Sequence, residues 1–464
     1  MRQKGPAQAG GKDMDETVKI ALPEAVRDII HTLQGAGYEA WAVGGCVRDS
    51  ILGRVPDDWD ITTSARPEQV KALFKKTVDT GIQHGTVTVL WHREGYEVTT
   101  YRIDGEYEDS RHPKEVQFTA SLREDLRRRD FTINAMAYNE EAGLVDIFGG
   151  IGDIRAKKIR CVGDPMERFS EDALRMMRAV RFSAQLGYEI EAETEAAICR
   201  LSHTLEKISA ERIRTELVKL LVSPHPELIR ACWRTGMTAV FLPEFDRMME
   251  TAQNNRHHCY CVGEHTIRAM EAAEPVKTLR LALLFHDMGK PEAKTTDADG
   301  TDHFYGHELK SADMARAVMR RLKFDNDTTG RVVRLVRAHD VKIEPGEKYM
   351  RRALNRLGED LFPELFAVKE ADMAAQSDYQ REEKREALLT MRRDYEAVIG
   401  SRACVSLKDL AVNGRDLIGA GFAPGRGLGE VLQALLEEVL EEPERNTREY
   451  LLGRAEEMKK TAIS

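Results

Sequence analysis

The sequence predicts an α+β chain, with a small mixed β-sheet head followed by a wholly helical remainder. Three observations predict it. Alternating or β-branched runs gather before residue 150, as in AWAV (40–43), HGTVTVLWH (84–92) and YEVTTYR (96–102), the pattern of half-buried strands. From Ile154 onward the apolar spacing becomes helical, with amphipathic stretches at 171–186, 192–205 and 209–222. At 464 residues the chain has length for several domains, each with its own core.

Taken in order, residues 1–17 are charged and glycine-rich without an apolar signal core, which predicts a disordered tail. Val26, Ile29, Ile30 and Leu33 predict one helix between Val18 and Gly37, stopped by Gly35 or Gly37. The run Ala40 to Val43 then feeds a Gly44-Gly45 pair, a helical Cys46 to Leu52, a turn at Gly53 to Pro56, and the extended Asp58-Trp59-Asp60. Side chains two apart on a strand share a face, so Asp58 and Asp60 are expected side by side. Paired carboxylates raise one another's pKa unless a cation joins them, and Mg²⁺ is held by one or two carboxylates plus substrate phosphates. The glycine pair lets backbone N–H groups approach a phosphate, and Arg48 supplies a donor fork. This block reads as a metal-dependent nucleotide site, the plain alternative being a surface Asp-x-Asp after a turn. Glu97, on the last of the predicted strands, is either a third carboxylate beside the metal or an exposed side chain.

Residues 103–117 are polar, carry Gly105 and Pro113, and predict a flexible loop. SLREDLRRRDFTINAMAY (121–138) predicts a polar helical half running into an apolar half, with Arg129-Asp130 at the junction. DIFGG (146–150) reads as a link whose glycines allow a hinge. In FSEDALRMMRAVRF (169–182), Ser170 is the expected N-cap, with Glu171 and Asp172 in the first turn. Arg175, Arg178 and Arg181 form one stripe there, and Asp172 can pair with Arg175 at i,i+3. A planar arginine fork beside a carboxylate acceptor can match the Watson–Crick edge of a base.

A second concentration of chemistry lies between 257 and 375. His286-Asp287 ends an apolar helix in LALLFHDMGKP, with His265 upstream and His307, His339, Asp340 and Asp372 downstream. Histidines and carboxylates on separate helices suit a metal site inside a bundle, and imidazole favours Mn, Fe, Ni or Zn over Mg. Hydrogen-bonded core histidines are the structural alternative.

The formal net charge of −9 weighs only weakly against a nucleic-acid partner, since a local basic face decides binding. Residues 310–356 hold 13 Lys/Arg against 6 Asp/Glu, with Arg331, Arg334 and Arg337 at helical spacing. Seven scattered cysteines without a C-x-x-C predict reduced thiols in the cytosol. No apolar run reaches the roughly 18 residues of a membrane span, so no membrane partner is expected, and no obligate protein partner is evident. The charged stretch 380–400 predicts helix. VNGRDLIGAGFAPGRGLG (412–429) is turn-rich and lacks the phosphate-loop pattern.

The blocks carry a specific resemblance. GGCVRD (44–49) with DWD (58–60) resembles motif A of the tRNA nucleotidyltransferase and poly(A) polymerase group, and RRDFTINAMAY (128–138) resembles its motif B. EDALR (171–175) resembles motif D of class II CCA-adding enzymes and bacterial poly(A) polymerases. SAERIRTEL (209–217) is similar to motif E, which supports the base template. The resemblance spans about residues 25–222. It implies Mg²⁺ on the catalytic pair Asp58 and Asp60, and a triphosphate oriented by Gly45, Arg48 and Arg129. It further implies a base chosen by Asp172 with Arg175, phosphates steadied by Arg178 and Arg181, and tRNA, CTP and ATP as partners.

The second block resembles the HD phosphohydrolase superfamily, whose H…HD…D pattern implies His265, His286, Asp287 and Asp372 as ligands of Mn²⁺, Ni²⁺, Zn²⁺ or Fe²⁺. His307 and His339 are candidates for a second ion, and Asp340 is the alternative last ligand. Residues 406–443 resemble the tail of bacterial CCA-adding enzymes, implying a helix–turn–helix against tRNA.

The domains expected are a tail (1–17), a nucleotidyltransferase head (18–150), a neck (151–225), an HD body (226–375) and a tRNA-binding tail (376–464). Complete CCA addition is the expected activity, with accessory phosphohydrolysis at the HD site. A-addition alone, CC-addition, poly(A) polymerase and an HD phosphohydrolase with an RNA-binding head are the alternatives. The full loop at 103–117 weighs against CC-addition, the absence of a basic C-terminal extension against poly(A) polymerase, and the intact Asp58/Asp60 pair against a degenerate head.

Overall fold

The computed structural model describes residues 14–15, 18–104 and 116–463. The fold is α+β, and the chain divides into two compact units, Met1–Phe241 and Leu242–Ser464.

All the strands of the large sheet lie in the first unit. They are β1 (Met14–Asp15), β2 (Ala40–Val43), β3 (Ile61–Thr63), β4 (Thr77–Gly81), β5 (Thr86–Trp91), β6 (Glu94–Thr100), β9 (Ala137–Asn139) and β10 (Gly143–Val145), in the order β1-β10-β9-β2-β3-β6-β5-β4. Between β6 and β9 the short strands β7 (Arg102–Asp104) and β8 (Val116–Phe118) pair with each other. β3 and β6 run parallel and the other neighbours antiparallel, so the sheet is mixed. β2 is buried along its whole length because α1 (Glu24–Gly35) covers it, presenting Val26, Ile29, Ile30 and Leu33 at helical spacing. α2 (Gly45–Ile51) leaves the end of β2 directly, and α3 (Pro67–Leu73) and α4 (Leu122–Arg127) complete the head.

Several expectations are corrected here. Of the tail expected over 1–17, only Met14–Asp15 is described, and it pairs with β10. The 103–117 stretch begins and ends in the β7–β8 pair, and the remainder of that expected loop lies outside the described residues. The glycines of DIFGG are pinned. Asp146 accepts the N–H groups of Gly150 and Ile151 at 2.7 and 2.9 Å, and a Cβ on Gly150 would sit 2.4 Å from Thr132 O. Close approach, not hinge freedom, explains glycine at 150.

The helical part of this unit comprises α5 (Gly150–Ala156), α6 (Pro165–Glu171), α7 (Leu174–Leu186), α8 (Ala192–Leu201), α9 (Ala210–Leu221), α10 (Ile229–Arg234) and α11 (Thr238–Phe241), with the two-residue strands β11 (Lys158–Ile159) and β12 (Glu189–Ile190) pairing in parallel. Ser170 is not an N-cap. It lies in the last turn of α6, which Asp164 caps by accepting Met166 N–H at 2.8 Å, with Pro165 at the first helical position. The helix breaks at Asp172, whose carboxylate accepts the Leu174 N–H at 3.1 Å and so starts α7.

The second unit is helical apart from the small hairpin of β13 (Thr295–Thr296) and β14 (Asp302–His303). Its helices are α12 (Pro243–Glu250), α13 (Val262–Ala272), α14 (Lys277–Phe285), α15 (Lys290–Ala293), α16 (His307–Arg321), α17 (Asn326–Ala338), α18 (Glu347–Leu357), α19 (Phe362–Ala374), α20 (Arg381–Gly400), α21 (Gly414–Gly419), α22 (Arg426–Glu441) and α23 (Arg448–Ile463). α14 is buried on nearly every side between α13, α17 and α19, which brings its C-terminal end into the middle of the bundle. The turn-rich stretch before α22 resolves into α21, capped by Asn413 and Asp416 in a reciprocal box. Leu417, Leu435, Leu436, Val439, Leu440 and Leu451 form a separate terminal core. Among the described residues no helix is long and apolar enough to cross a membrane.

Candidate functional site

In the first unit a cavity of about 720 Å³ opens where β2 turns into α2. Gly45, Arg48, Asp58, Asp60, Arg129, Arg178 and Arg181 all line it. Gly44 makes the turn possible: its φ is +88°, and a Cβ there would meet Arg129 Nη1 at 2.8 Å. Asp58 and Asp60 are exposed in the extended stretch just before β3. The parallel register, Ile61 opposite Val98, sets Asp60 beside Glu97. Loss of hydration against the cavity wall raises the Asp60 carboxyl, Arg129 pulls it back, and Asp58 raises it again. Glu97 is raised by loss of hydration and then by Asp60 and Asp58. Asp60 thus feels Asp58, and Glu97 feels both, the field that a divalent cation relieves.

The cations opposite them are held in place from behind. Arg48 is buried, with its Nη1 on Asn134 Oδ1 at 2.6 Å and its other edge on Asp49 at 2.8 and 3.0 Å. Arg129 lies 3.8 Å from the wholly buried Asp125, and its own Nε has no partner among the described residues. Arg178 grips Asp130 at 2.6 and 2.8 Å. Burial works against the Asp130 charge, but Arg178 overcomes it and holds that carboxyl down to about 2. Arg181 bonds to Glu216 on α9 and, at 2.7 Å, to Gln185. The Phe182 ring gathers three of these guanidinium groups, Arg181 at 3.8, Arg48 at 5.1 and Arg178 at 5.3 Å from its centroid. Such crowding of cations in a walled cavity suits a polyanion such as a triphosphate. Asn134 and Phe182, both inside the quoted blocks, carry no spacing signal of their own, because each orients Arg48, which is distant in sequence.

Asp172 and Arg175 stand outside the lining of this cavity. The Asp172 carboxylate is clasped at both oxygens by Arg212 of α9, at 2.7 and 3.2 Å. Arg175 is buried, bonds to Glu171, and donates to the carbonyls of Arg168 and Arg128, both at 3.1 Å. The chain breaks at Asp172 and turns its carboxylate toward Arg212 of α9.

The second cluster lies in the second unit, at helix ends. His286 and His339 terminate α14 and α17, His307 begins α16, and His265 and Asp372 lie within α13 and α19. Every one of the four imidazoles turns its Nδ1 to a backbone carbonyl: His265 to Ala375 at 3.2, His286 to Leu283 at 2.7, His307 to Phe304 at 2.8 and His339 to Val336 at 2.7 Å. An N–H at Nδ1 leaves each Nε2 as a lone pair pointing inward. There His307 Nε2 meets His339 Nε2 at 3.1 Å, and His286 Nε2 meets His265 Nε2 at 3.4 Å. Lone pairs that close repel unless a proton or metal lies between them.

Asp287 sits between the two pairs, Oδ2 3.3 Å from His286 Nε2 and 3.5 Å from His265 Nε2, Oδ1 3.3 Å from His307 Nε2. Asp287 Oδ2 ion-pairs with Lys290 Nζ at 2.7 Å yet accepts no hydrogen bond of normal angle. Asp372 approaches His265 Nε2 at 2.8 Å. Burial disfavours charge on His286, but Asp287 and Asp372 outweigh it and raise the ring to about 10, whereas burial and His286 push His339 down to about 3. The donor set of imidazole nitrogens around a shared carboxylate fits one or two borderline transition-metal ions. Two groups, His265–His286–Asp287 and Asp287–His307–His339, each bring their ligand atoms within 4.8 Å of one another.

Comparison with known proteins follows this geometry. The Poly A polymerase head domain matches residues 40–160, the RNA- and SrmB-binding site of polymerase A matches 187–249, and tRNA nucleotidyltransferase domain 2 matches 306–455. A CCA-adding enzyme of Lactiplantibacillus plantarum is 36% identical over 435 residues, covering 92% of this chain and 95% of its own. The crystal structure of the Bacillus stearothermophilus CCA-adding enzyme in complex with CTP superposes with a TM-score of 0.70 at 31% identity, over 95% of this chain and 98% of that one. The Thermotoga maritima CCA-adding enzyme complexed with tRNA shares the fold, with a TM-score of 0.54 at 21% identity over 93% of each chain.

Proposed function

The chain belongs to the family of CCA-adding enzymes, and from that premise we propose which of its residues carry each part of the reaction. The protein is a nucleotidyltransferase that adds CMP and AMP from CTP and ATP to the 3′ end of tRNA, and it depends on a divalent cation. The convergence of two carboxylates and four arginines on one cavity carries the assignment of residues.

Asp58 and Asp60 hold the metal. The donors there are all carboxylate oxygens, which favours Mg²⁺ over softer ions, and the raising of Asp60 by burial and Asp58, and of Glu97 by burial, Asp60 and Asp58, supports a cation at this group. When bound, two magnesium ions supply activation of the tRNA 3′-hydroxyl and neutralisation of charge on the triphosphate. Gly45, Arg48 and Arg129 orient the triphosphate, and Arg129 Nε is a donor still to be satisfied. Arg178 and Arg181 steady the phosphates from α7. Asp172 and Arg175, one turn back along the chain from Arg178, choose the base. The Arg212 clasp supports this role, since it fixes the direction of the Asp172 acceptor lone pairs.

We assign the head to 18–150, the neck to 151–225, the body to 226–375 and the tRNA-binding tail to 376–464. The head match at 40–160 supports the first of these. Seven cysteines that are all free thiols support a reducing compartment, the cytosol.

The test uses tRNA ending before CCA, after C or after CC, with CTP and ATP offered separately. Two C and one A are expected in that order. Asp58→Ala and Asp60→Ala are expected to lower transfer by roughly 10²–10³-fold or more, and a near-normal rate in either variant sinks the assignment.

The second cluster supports an accessory activity, hydrolysis of a phosphoester with Mn²⁺, Ni²⁺, Zn²⁺ or Fe²⁺ on His265, His286, Asp287 and Asp372, and with His307 and His339 on a second ion. The inward convergence of four Nε2 atoms on Asp287 favours it over a structural role. Such an ion, when bound, supplies an activated water. Hydrolysis of bis-p-nitrophenyl phosphate by the wild type with Mn²⁺, lost in His286→Ala, is the expected result. A wild type as inactive as the variant returns the cluster to a structural role.

A further inference from the structure

The metal-ligand cluster opens into a cavity of about 590 Å³, which continues into a trough of about 710 Å³ through the shared residues Asn255, His257 and Phe304. The trough carries no part of the cluster; Phe304 and Tyr379 line it, while Tyr305 stands on the wall of the inner cavity. Tyr305 is 81% exposed, more than any other aromatic side chain among the described residues. One face of its ring is stacked on His303, with centroids 5.4 Å apart and planes 7° from parallel, so the other face is open. Tyr379, also exposed, meets His257 edge-on at 5.1 Å under the guanidinium of Arg256. The Tyr305 hydroxyl lies 3.4 Å from His303 Nδ1 and helps to hold the ring flat, and an open ring face is what a nucleobase stacks on.

Charge on the same walls is arranged for a phosphate backbone. Lys342 and Lys384 line the inner cavity, the latter bonded to Gln376 at 2.7 Å, and both lie close enough to depress His257. Of the carboxylates on these walls, Asp302 is neutralised by Lys294 at 2.8 Å. Asp287 and Asp372 belong to the cluster itself, and Asp299, Glu308 and Asp340 remain.

We infer that the second cluster acts on the end of a single-stranded polynucleotide, with bases stacked on Tyr305 and Tyr379 and the backbone led by Lys342 and Lys384 to the cluster. The inference rests on the phosphohydrolase reading of that cluster and adds its substrate class. Two aromatic platforms beside a lysine-lined cavity exceed what one mononucleotide can occupy, whereas a chain uses one platform per base. In the reaction the oxygen of a water molecule bonds to phosphorus, the phosphorus–ester oxygen bond breaks, and the departing oxygen takes up the proton of the water.

Two arms test this on the full-length protein. In the first, octamers carrying a photoreactive thio-base, as ribo- and deoxyribonucleotides, are cross-linked in the presence of chelator and the sites read by mass spectrometry. Cross-links to peptides containing Tyr305 or Tyr379 are expected, and the sugar preference distinguishes RNA from DNA. Cross-links confined to residues 1–241 overturn the inference.

In the second arm, octamer hydrolysis with Mn²⁺ is compared in the wild type and in Tyr305→Ala/Tyr379→Ala. The variant should raise KM by roughly 5- to 100-fold for each ring lost with kcat held, and its Mn²⁺-induced rise in melting temperature should match the wild type. An unchanged KM overturns the inference while leaving the phosphohydrolase reading intact. A wild type that hydrolyses neither octamer nor bis-p-nitrophenyl phosphate overturns that reading, and the inference with it.

Discussion

Two carboxylates of the first unit show how much work a single partner does. Asp172 is oriented by Arg212, which holds both its oxygens, and by the Leu174 N–H on one of them. In Arg212→Ala the carboxylate is free to turn, and a lost charge-assisted bond of about 1.4 kcal/mol is tenfold in affinity. The expected outcome is a KM for CTP and ATP about tenfold higher with more UTP and GTP incorporated, measured by primer extension on tRNA lacking CCA. Unchanged discrimination would separate Arg212 from base choice.

Asp130 gives a pH prediction. Its carboxyl ionises at about 2 in the fold and at 3.8 ordinarily, so its stabilisation is fully present above 3.8 and fades as pH falls toward 2. The shift is worth about 2 kcal/mol. Asp130→Asn should therefore cost about that much in urea unfolding at pH 6, and the gap from wild type should shrink as the pH falls from 3.8 toward about 2. A gap that is constant with pH would show that its worth is packing, not charge.

The turn from β2 into α2 belongs to the backbone. At Gly44, with φ +88° and ψ −130°, a side chain strains the chain by about 1–3 kcal/mol and collides with Arg129. Gly44→Ala is expected to lose that much stability and to raise KM for both nucleotides. A variant with full stability and normal KM would mean that the turn relaxes freely. On β6, Glu97→Gln should demand more Mg²⁺ for half-maximal transfer if its carboxylate shares the field of Asp60, and a magnesium titration indistinguishable from wild type returns Glu97 to the surface.

Long elements of this kind were legible beforehand. β5, β6, α1, α9 and α20 have a period to read, and the motif carboxylates and arginines stood at spacings that chemistry explains. Shorter elements were not legible. β3, β9 and β10 have three residues each, too few to display alternation. The break at Asp172 was misplaced because Ser170 competed as a cap, although Asp164-Pro165 carried the stronger start signal. Asn134, Asp125 and Arg212 could not be found from spacing, since each acts on a partner that only the folded chain brings near.

Each unit carries its own set of candidate ligands, and the two differ in the ions their donor atoms suit. The oxygen donors of Asp58 and Asp60 suit a hard cation, whereas four Nε2 atoms around Asp287 suit a borderline one. Saturation with Mn²⁺ or Zn²⁺ at about a hundred times Kd stabilises a folded unit by about 2.7 kcal/mol. For a unit of this size that is a rise of about 5–10 °C in melting temperature. His286→Ala should abolish that rise by calorimetry while nucleotide addition with Mg²⁺ stays near the wild-type rate. An equal rise in the variant would put the ion elsewhere.

The anchoring of the four imidazoles has a further consequence. Three of them bond to the carbonyl three residues back in their own chain segment, so the local backbone fixes their tautomer whether or not an ion is present. The empty cluster would keep its shape, and an ion would enter and leave without refolding the bundle. Under the proposed assignment, a cell rich in magnesium but starved of transition metal would retain tRNA maturation and reversibly lose the proposed hydrolysis, which would make nutrient metal supply a dial on the functional range of one polypeptide.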